Sequence, residues 1–400
     1  MKKNVAVFFG GQSVEHEVSV ISAVQAMRYM DKDKYNIVPV YITKGGELLS
    51  GDGLTDIDTY RVKDLKQLES SFTKVTIERK GECVVITERD KKGFGKRREI
   101  SDIDIAFPIV HGTNCEDGTL QGWLELLGLP YVGCDVVSSA VGMDKSLFKN
   151  VLDAAGIPVL SHTVFYAKDW AVERDSLVAD LESKFGYPMI VKPANLGSSV
   201  GISKADNRDQ LIDAIDNACA FSQKLLVERA VVGLREINCS VLGDVNECRA
   251  SECEEPLMTD KILSYKDKYV AGDKGGSKGM TSLKRKLPAE ISEQMKAEIQ
   301  DYSCRTFKAL GCCGVVRIDF LIDTQNDDKV YVNEINTIPG SLSFYLWEAT
   351  GKSYPQLLDE MIDLGFKRYR AKSNLTFTYD TNILTSASPF GAKGAKGSKF

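Results

Sequence analysis

The stretch 314-GVVRIDFLIDTQNDDKVYVNEINTIPG-340 decides how the chain is read. Two mostly apolar runs, Val315 to Ile322 and Lys329 to Asn336, flank the polar Asp323 to Asp327, which is the pattern of a β-hairpin. Residues i and i+2 of a strand share a face. Arg317 and Asp319 therefore lie together, as do Glu334 and Asn336. Paired antiparallel, the strands converge these four groups on one side and leave Ile318, Phe320, Tyr331 and Ile335 for a core. Two carboxylates and an amide oxygen are hard ligands that suit Mg²⁺, an ion that favours carboxylates together with phosphate oxygens. An arginine beside them offsets charge on a transferred phosphate. Taken alone, the pattern fits a solvated edge hairpin equally well.

Working outward, 190-IVKPANLGSSVGIS-203 sets a glycine- and serine-rich loop between two strands. Its backbone N–H groups can cradle phosphate, and Lys192 stands just before it as a point charge. The Walker A spacing is absent. In 224-KLLVERAVVGLREI-237, Glu228 ends one strand and Glu236 opens the next across Gly233. This reads as a purine slot, with a carboxylate within reach of ribose hydroxyls. In 8-FFGGQSVEHEVS-19, a Gly-Gly turn joins the carboxyl end of a strand to a helix, where open α/β sheets bind ligands. Glu15 sits there, able to receive an ammonium or simply to complement the helix dipole. A second such end, 111-HGTNCEDGTLQG-122, carries His111.

The elements alternate accordingly. Strands at 4–9 and 37–42 bracket a helix from Glu17 to Met30, a βαβ unit that requires parallel pairing. A strand from Asp104 to Val110 and a helix from Leu120 to Leu127 follow, with Gly128 as its C-terminal stop. The expected domains are 1–140, an open α/β substrate domain; 141–242, a central α+β subdomain; and 243–372, a C-terminal subdomain containing a long loop at about 256–288. Residues 373–400 are expected to form a polar, poorly ordered tail.

Composition bounds the function. The 400 residues are 43% hydrophobic and 27% charged, with a formal net charge of −5, which speaks against a nucleic-acid partner. No stretch approaches the roughly 18 apolar residues of a membrane span, and Val5 to Phe9 is too short for a signal h-region. A cytoplasmic protein with no membrane partner is expected. The ten cysteines show no CxxC spacing. Cys239, Cys248 and Cys253 form the one arrangement that could hide a structural metal.

Seven motifs in order resemble the D-alanine–D-alanine ligase family of the ATP-grasp superfamily: GGQSVEHEVS, HGTNCEDGTLQG, VGMDKSLFKNVLDAAGIP, IVKPANLGSSVGIS, YKDKY, GVVRIDF and NEINTIPG. The resemblance runs from residue 4 to about 365. It implies a three-domain ATP-grasp architecture of α/β and α+β parts, led by an open α/β (pre-ATP-grasp) domain. It implies that Lys145 and Lys192 hold the ATP phosphates, with Ser198 and Ser199 in the covering loop. Glu228, Arg229 and Val231 would line the adenine and Glu236 would take the ribose. Asp319, Glu334 and Asn336 would bind two Mg²⁺ ions, with Mn²⁺ as a substitute. Arg317 would stabilise the oxyanion. Glu15, linked to Ser198 and Tyr269, would receive the first amino acid's ammonium. Lys268 and Tyr269 would belong to a lid that excludes water. His111, Gly340, Tyr345 and Leu346 would complete the substrate site. ATP and D-amino acids would be the partners, and the chain a homodimer through its N-terminal domain.

Four departures bear on substrate. Cys115 replaces a glycine, the Glu228–Glu236 span is one residue longer, the lid is longer and more basic, and Tyr345 replaces the serine that holds the second substrate's carboxylate. The expected acceptors are D-alanine, D-serine and D-lactate, in that order, or another acceptor of an ATP-grasp carboxylate–amine ligase. A non-catalytic nucleotide-binding regulator is the rival reading from another class. The intact set Glu15, Lys192, Arg317, Asp319, Glu334 and Asn336 argues against it.

Overall fold

The computed structural model of the chain describes residues 2–89, 97–197, 200–257 and 285–381. Ser198, Ser199, Lys268, Tyr269, most of the 256–288 segment and the end of the chain beyond 381 lie outside the described residues.

The N-terminal βαβ unit is present: Lys3–Gly10 (β1), His16–Tyr29 (α1) and Tyr35–Ile42 (β2). β1 pairs in parallel with β2 and with Ile105–Ile109 (β7). Val5 to Phe9 are fully buried between the layers, as expected of a parallel central strand. The rest of this sheet departs from the expected parallel order. Leu48–Ser50 (β3), Thr73–Lys80 (β4), Cys83–Glu88 (β5) and Glu99–Ile103 (β6) add an antiparallel meander, giving the order β6-β5-β4-β3-β2-β1-β7. A single-turn helix, Leu68–Ser71 (α2), precedes β4. Short loops allow antiparallel neighbours, whereas parallel ones need a crossover.

Thr119–Leu127 (α3) ends at Gly128, whose φ of 67° is the left-handed stop foreseen from the sequence. Val136–Met143 (α4) and Lys145–Ala154 (α5) lead out of the domain, each started by an aspartate cap, Asp135 and Asp144. The second sheet is antiparallel and four-stranded, in the order β10-β9-β11-β8. Its strands are His162–Tyr166 (β8), Met189–Pro193 (β9), Ser203–Ala205 (β10) and Lys224–Arg229 (β11). Ala167–Phe185 (α6) and Arg208–Cys219 (α7) cover one face with a core of their own, built on Trp170, Leu181, Leu211 and Ile215.

The third sheet is antiparallel and five-stranded, in the order β14-β13-β12-β15-β16. It contains Leu234–Gly243 (β12), Cys248–Pro256 (β13), Arg285–Lys286 (β14), Gly314–Asp323 (β15) and Lys329–Asn336 (β16). β11 and β12, adjacent in sequence, thus enter different sheets across the turn at Gly233. Glu293–Ala309 (α8) packs on one face with Ile237, Val316, Ile318, Phe320 and Val332. The last helices, Phe344–Ala349 (α9) and Tyr354–Ser373 (α10), join the N-terminal core instead. Beyond α10, Leu375, Phe377 and Tyr379 are exposed, so the start of the tail is not uniformly polar.

No described helix is long and apolar enough to cross a membrane. All ten cysteines are free thiols. Among the described residues, no group of three or more His, Cys, Asp or Glu is placed to hold a metal, which removes the Cys239–Cys248–Cys253 alternative. Cys239 and Cys253 are register partners on β12 and β13, buried as small apolar groups.

Candidate active site

The hairpin of β15 and β16 supplies the acidic wall. Asp319 is the register partner of Glu334 on one side and of Asn238 on the other, and Arg317 is the partner of Asn336. Arg317 and Asp319 form a bidentate pair, Nε–Oδ1 2.7 Å and Nη2–Oδ2 2.8 Å. Asn336 Nδ2 donates to Asp319 Oδ2 at 3.1 Å. Burial works against the Arg317 charge, but Asp319 more than offsets it and raises the guanidinium pKa well above its ordinary value.

One residue of the hairpin falls on the face opposite to that expected. A bulge between Asp319 and Phe320 makes Phe320 the partner of Val332, not of Asn333. The slip moves Val332 into the core with Phe320 and turns Tyr331 to the site face, against Leu160 and Leu321. A single extra residue inverts every later side chain because the strand period is two. The bulge also presents Asn333, whose Oδ1 accepts from Lys192 Nζ at 3.1 Å.

Facing this wall is a cluster of lysines. Lys145, in the first turn of α5, donates from Nζ to the Leu196 carbonyl at 2.7 Å and lies 3.5 Å from Glu334 Oε2. Its backbone N–H donates to Ala194 O at 2.8 Å, so it pins the glycine-rich loop at two points. Lys192 on β9 pairs with Glu228 on β11. Lys149, one helical turn beyond Lys145, pairs with the other oxygen of Glu228 at 2.8 Å, and both of their side chains are 1% exposed. Burial alone would push the Glu228 carboxyl up, but Lys149 and Lys192 outweigh it and hold it down at about 2. The carboxylate is therefore charged at neutral pH and holds two ammonium groups at the cleft floor.

Between the two sheets lies a cleft of about 460 Å³. Leu160, Ile190, Val231 and Leu321 form its apolar end, and Lys192, Glu228, Glu236, Asp319 and Glu334 its charged side. A slot of this size, apolar at one end and charged at the other, suits a nucleotide. The Arg229 guanidinium turns away to Asp323 at 2.7 Å and Tyr331 at 3.4 Å, leaving its backbone to line the slot. The donor set also fits a divalent metal: Asp319 and Glu334 are register neighbours, and each already faces a cation that an ion at this place would join.

The N-terminal crevice meets the other end. Glu15 is 7% exposed and makes no cap bond to α1. Its carboxylate instead faces two glycines. A Cβ on Gly112, where φ is +80°, would sit 2.8 Å from Oε2, and one on Gly197 would sit 3.3 Å away. Glu15 thus reaches across to the phosphate-loop side of the site. His111 is brought to the same place, but both ring nitrogens are bonded to protein: Nδ1 to Ile338 O at 2.8 Å and Nε2 to Ser22 Oγ at 3.0 Å. A carbonyl only accepts, so Nδ1 carries the proton and Ser22 donates to Nε2. Ser22 Oγ in turn accepts from Ser341 N–H at 2.9 Å. Burial lowers the His111 pKa, keeping the ring neutral in this role. His111 therefore ties the loop after β16 to α1.

That loop turns sharply. Ser341, Leu342 and Ser343 all have φ near +50°, a conformation that costs non-glycine residues energy and gathers at functional sites. It sets Tyr345 and Leu346 in the first turn of α9, both buried. The Tyr345 hydroxyl donates to Glu254 Oε1 at 2.7 Å.

Five residues of this site carried weaker signals. Lys149 is found by the i,i+4 spacing from Lys145 on an amphipathic helix. Glu116 lies inside the quoted HGTNCEDG motif. It accepts from Gly112 N–H at 2.7 Å and from Ile338 N–H at 3.2 Å. Burial, with the Glu15 charge adding to it, pushes its carboxyl up to about 8. Asn333 depends on the bulge. Glu254 and Arg285 have no local signature, since only strand pairing brings them to Tyr345.

Comparison with known proteins agrees with this geometry. Residues 4–134 match the family model of the D-ala D-ala ligase N-terminus, and residues 151–363 that of the C-terminus. A D-alanine–D-alanine ligase of Caldicellulosiruptor bescii is 41% identical over 385 residues, covering 94% of this chain and 99% of that one. The structure of the D-alanine–D-alanine ligase from Coxiella burnetii superposes with a TM-score of 0.75 at 32% identity, covering 93% of this chain and 96% of the other. The VanG D-Ala:D-Ser ligase of Enterococcus faecalis does so with a TM-score of 0.75 at 31% identity, covering 91% and 100%.

Proposed function

The chain belongs to the D-alanine–D-alanine ligase family, and from that premise we propose how its residues divide the work. It is an ATP-dependent ligase with the ATP-grasp fold, and it joins D-alanine to D-alanine for peptidoglycan precursor synthesis. ATP and a divalent metal belong to the family's chemistry.

ATP lies in the cleft between the second and third sheets. Lys145 and Lys192 hold its phosphates, Val231 and the backbone at Arg229 line the adenine, and Glu236 takes the ribose. Asp319, Glu334 and Asn336 would hold two Mg²⁺ ions, which supply charge neutralisation on the phosphates. A carboxylate oxygen of the first D-alanine attacks the γ-phosphorus. ADP leaves and an acyl phosphate forms. The second D-alanine's amine attacks the acyl carbon, inorganic phosphate departs, and the amine loses a proton. Arg317 faces the oxyanion of that step, as a buried fixed charge should. Glu15 receives the first ammonium. We assign Ser198, Ser199, Lys268 and Tyr269 to closure over the site, on the sequence resemblance alone. We propose three domains, residues 1–140, 141–242 and 243–372, and we place a homodimer of the chain in the cytoplasm.

The observation that carries this reading is Lys145, which bonds the glycine-rich loop and lies 3.5 Å from Glu334 on the acidic wall. It joins a phosphate cradle to a metal-ligand pair in one side chain. The test is phosphate release from ATP and Mg²⁺ with D-alanine, D-serine and D-lactate in turn, with product mass as readout. D-alanine-dependent release with D-alanyl-D-alanine as product is expected. ATP binding without amino-acid-dependent turnover would sink the reading.

A further inference from the structure

Two consecutive residues of β16, Asn333 and Glu334, line the same cleft. In a regular strand neighbours point to opposite faces, so one of the two should be turned into the core. The bulge between Asp319 and Phe320 lifts that constraint, as bulges beside functional sites re-aim a side chain. Each residue then meets a different lysine. Asn333 Oδ1 accepts from Lys192 Nζ at 3.1 Å, and Glu334 Oε2 lies 3.5 Å from Lys145 Nζ. The steps above use Glu334, Lys145 and Lys192 and leave Asn333 without a part.

Lys192 stands between two acceptors, Glu228 at the cleft floor and Asn333 on the opposite wall. Lys149 shows what the pull of Glu228 does, since its side chain is drawn in to 1% exposure. The Lys192 side chain is 9% exposed and stays at the cleft surface. An ammonium carries three N–H donors on one rotor. Bonds to Glu228 and Asn333 fix that rotor, and with it the direction of the third donor. The residue type at 333 matters for this task. A carboxylate there would pair with the ammonium and cancel charge that a phosphate needs. An apolar side chain would release Nζ toward Glu228. An amide oxygen holds the ammonium without neutralising it. Lysine only donates, so the amide presents Oδ1 to it.

We infer that Asn333 is a positioning residue for the phosphate-binding lysine. It holds Lys192 Nζ across the cleft against the pull of Glu228, next to Glu334 in the chain. The register slip that seats it thereby serves the nucleotide site. Asn333 acts through Lys192 and needs no contact with the ligand.

The inference rests on the ligase reading, which puts Lys192 on the ATP phosphates, and one set of titrations separates the two. ADP with Mg²⁺, and adenosine, are each titrated into the full chain. The ratio of the two affinities isolates what the phosphates add. Lys192→Met should lower that ratio; if it does not, the phosphate role of Lys192 falls first and the inference with it. Asn333→Leu, close in size, should lower the ratio on the order of tenfold, the scale of one hydrogen bond to a charged group. Its adenosine affinity should stay within about twofold of the unaltered protein's. Asn333→Asp, which keeps an acceptor and adds a charge, should lower the ratio at least as far. In the Lys192→Met background, Asn333→Leu should move the ratio by less than about twofold, because the two residues act as one unit. The ratio is internal to each variant, so reduced folding yield does not move it. An unchanged ratio in Asn333→Leu or in Asn333→Asp overturns the inference. So does an equal effect of Asn333→Leu with and without Lys192, or a parallel loss of adenosine and ADP affinity, which would make Asn333 a structural residue.

Discussion

Two glutamates, one in the cleft between the second and third sheets and one in the N-terminal crevice, are held in opposite protonation states. In the cleft between the second and third sheets, Glu228 meets Lys149 and Lys192 and is held down at about 2. In the N-terminal crevice, Glu116 is partly buried beside Glu15 and pushed up to about 8. The residue type is the same, and the charged neighbours decide. Two cations override the desolvation of a carboxylate, while a second carboxylate adds to it. One cleft is floored with ammonium groups, whereas the other sets two carboxylates side by side.

The largest way to break this contrast is Lys149→Met. It leaves Glu228 buried with half its compensation and should cost about 3–5 kcal/mol of stability. Urea denaturation reads this directly, and a loss under about 1 kcal/mol would mean that Lys192 alone balances the charge. Next is Asp319→Asn on the acidic wall. Turnover should drop on the order of 100-fold with a raised Mg²⁺ requirement in the ATP assay. Unchanged turnover would remove Asp319 as a metal ligand.

The contrast is sharpened by pH. Glu116 has a folded value of about 8 against an ordinary 4.5. Between these values the folded chain binds more protons than the unfolded one, so stability falls as pH rises from about 4.5 to about 8. His111 and Arg317 also face this region. Glu116→Gln should flatten that slope in melting temperatures taken across the window; a variant that keeps the wild-type slope would sink the assignment. Glu228 runs the other way. Its folded value of about 2 lies below 4.5, so its contribution is full above 4.5 and is lost as pH falls toward 2. Acid unfolding between pH 4.5 and 2 should therefore be displaced in Glu228→Gln and unaffected by Glu116→Gln.

The smallest expected effect is Ser22→Ala. It removes the hydroxyl shared by His111 and Ser341 and should cost roughly 1–3 kcal/mol, the price of two buried groups losing a partner. Its acceptor KM should rise more than its donor KM, because the bond steadies the loop before Tyr345. Equal changes in both would leave Ser22 a plain core residue.

What could be read along the chain was local. The βαβ start, the Gly128 stop, the glycine-rich loop with Lys192 and the alternation that pairs Asp319 with Glu334 are each written in a few consecutive residues. Period, cap and turn chemistry act over that range. Lys145, Lys192, Glu228, Asp319 and Glu334 come together at one cleft, while Ser198, Ser199, Lys268 and Tyr269 lie outside the described residues.

What the tertiary structure alone decided is how these pieces face one another. The register slip after Asp319 turned Tyr331 toward Leu160 and Leu321 and presented Asn333 to Lys192. Strand pairing brought Glu254 and Arg285 to Tyr345 across intervals of 91 and 60 residues of chain. Packing of α9 and α10 on the first domain gave His111 the carbonyl of Ile338, a contact spanning 227 positions. Burial and charge neighbours are sums over groups distant in sequence. For that reason, the sequence names Glu116 and Glu228 without saying that one is neutral and the other charged.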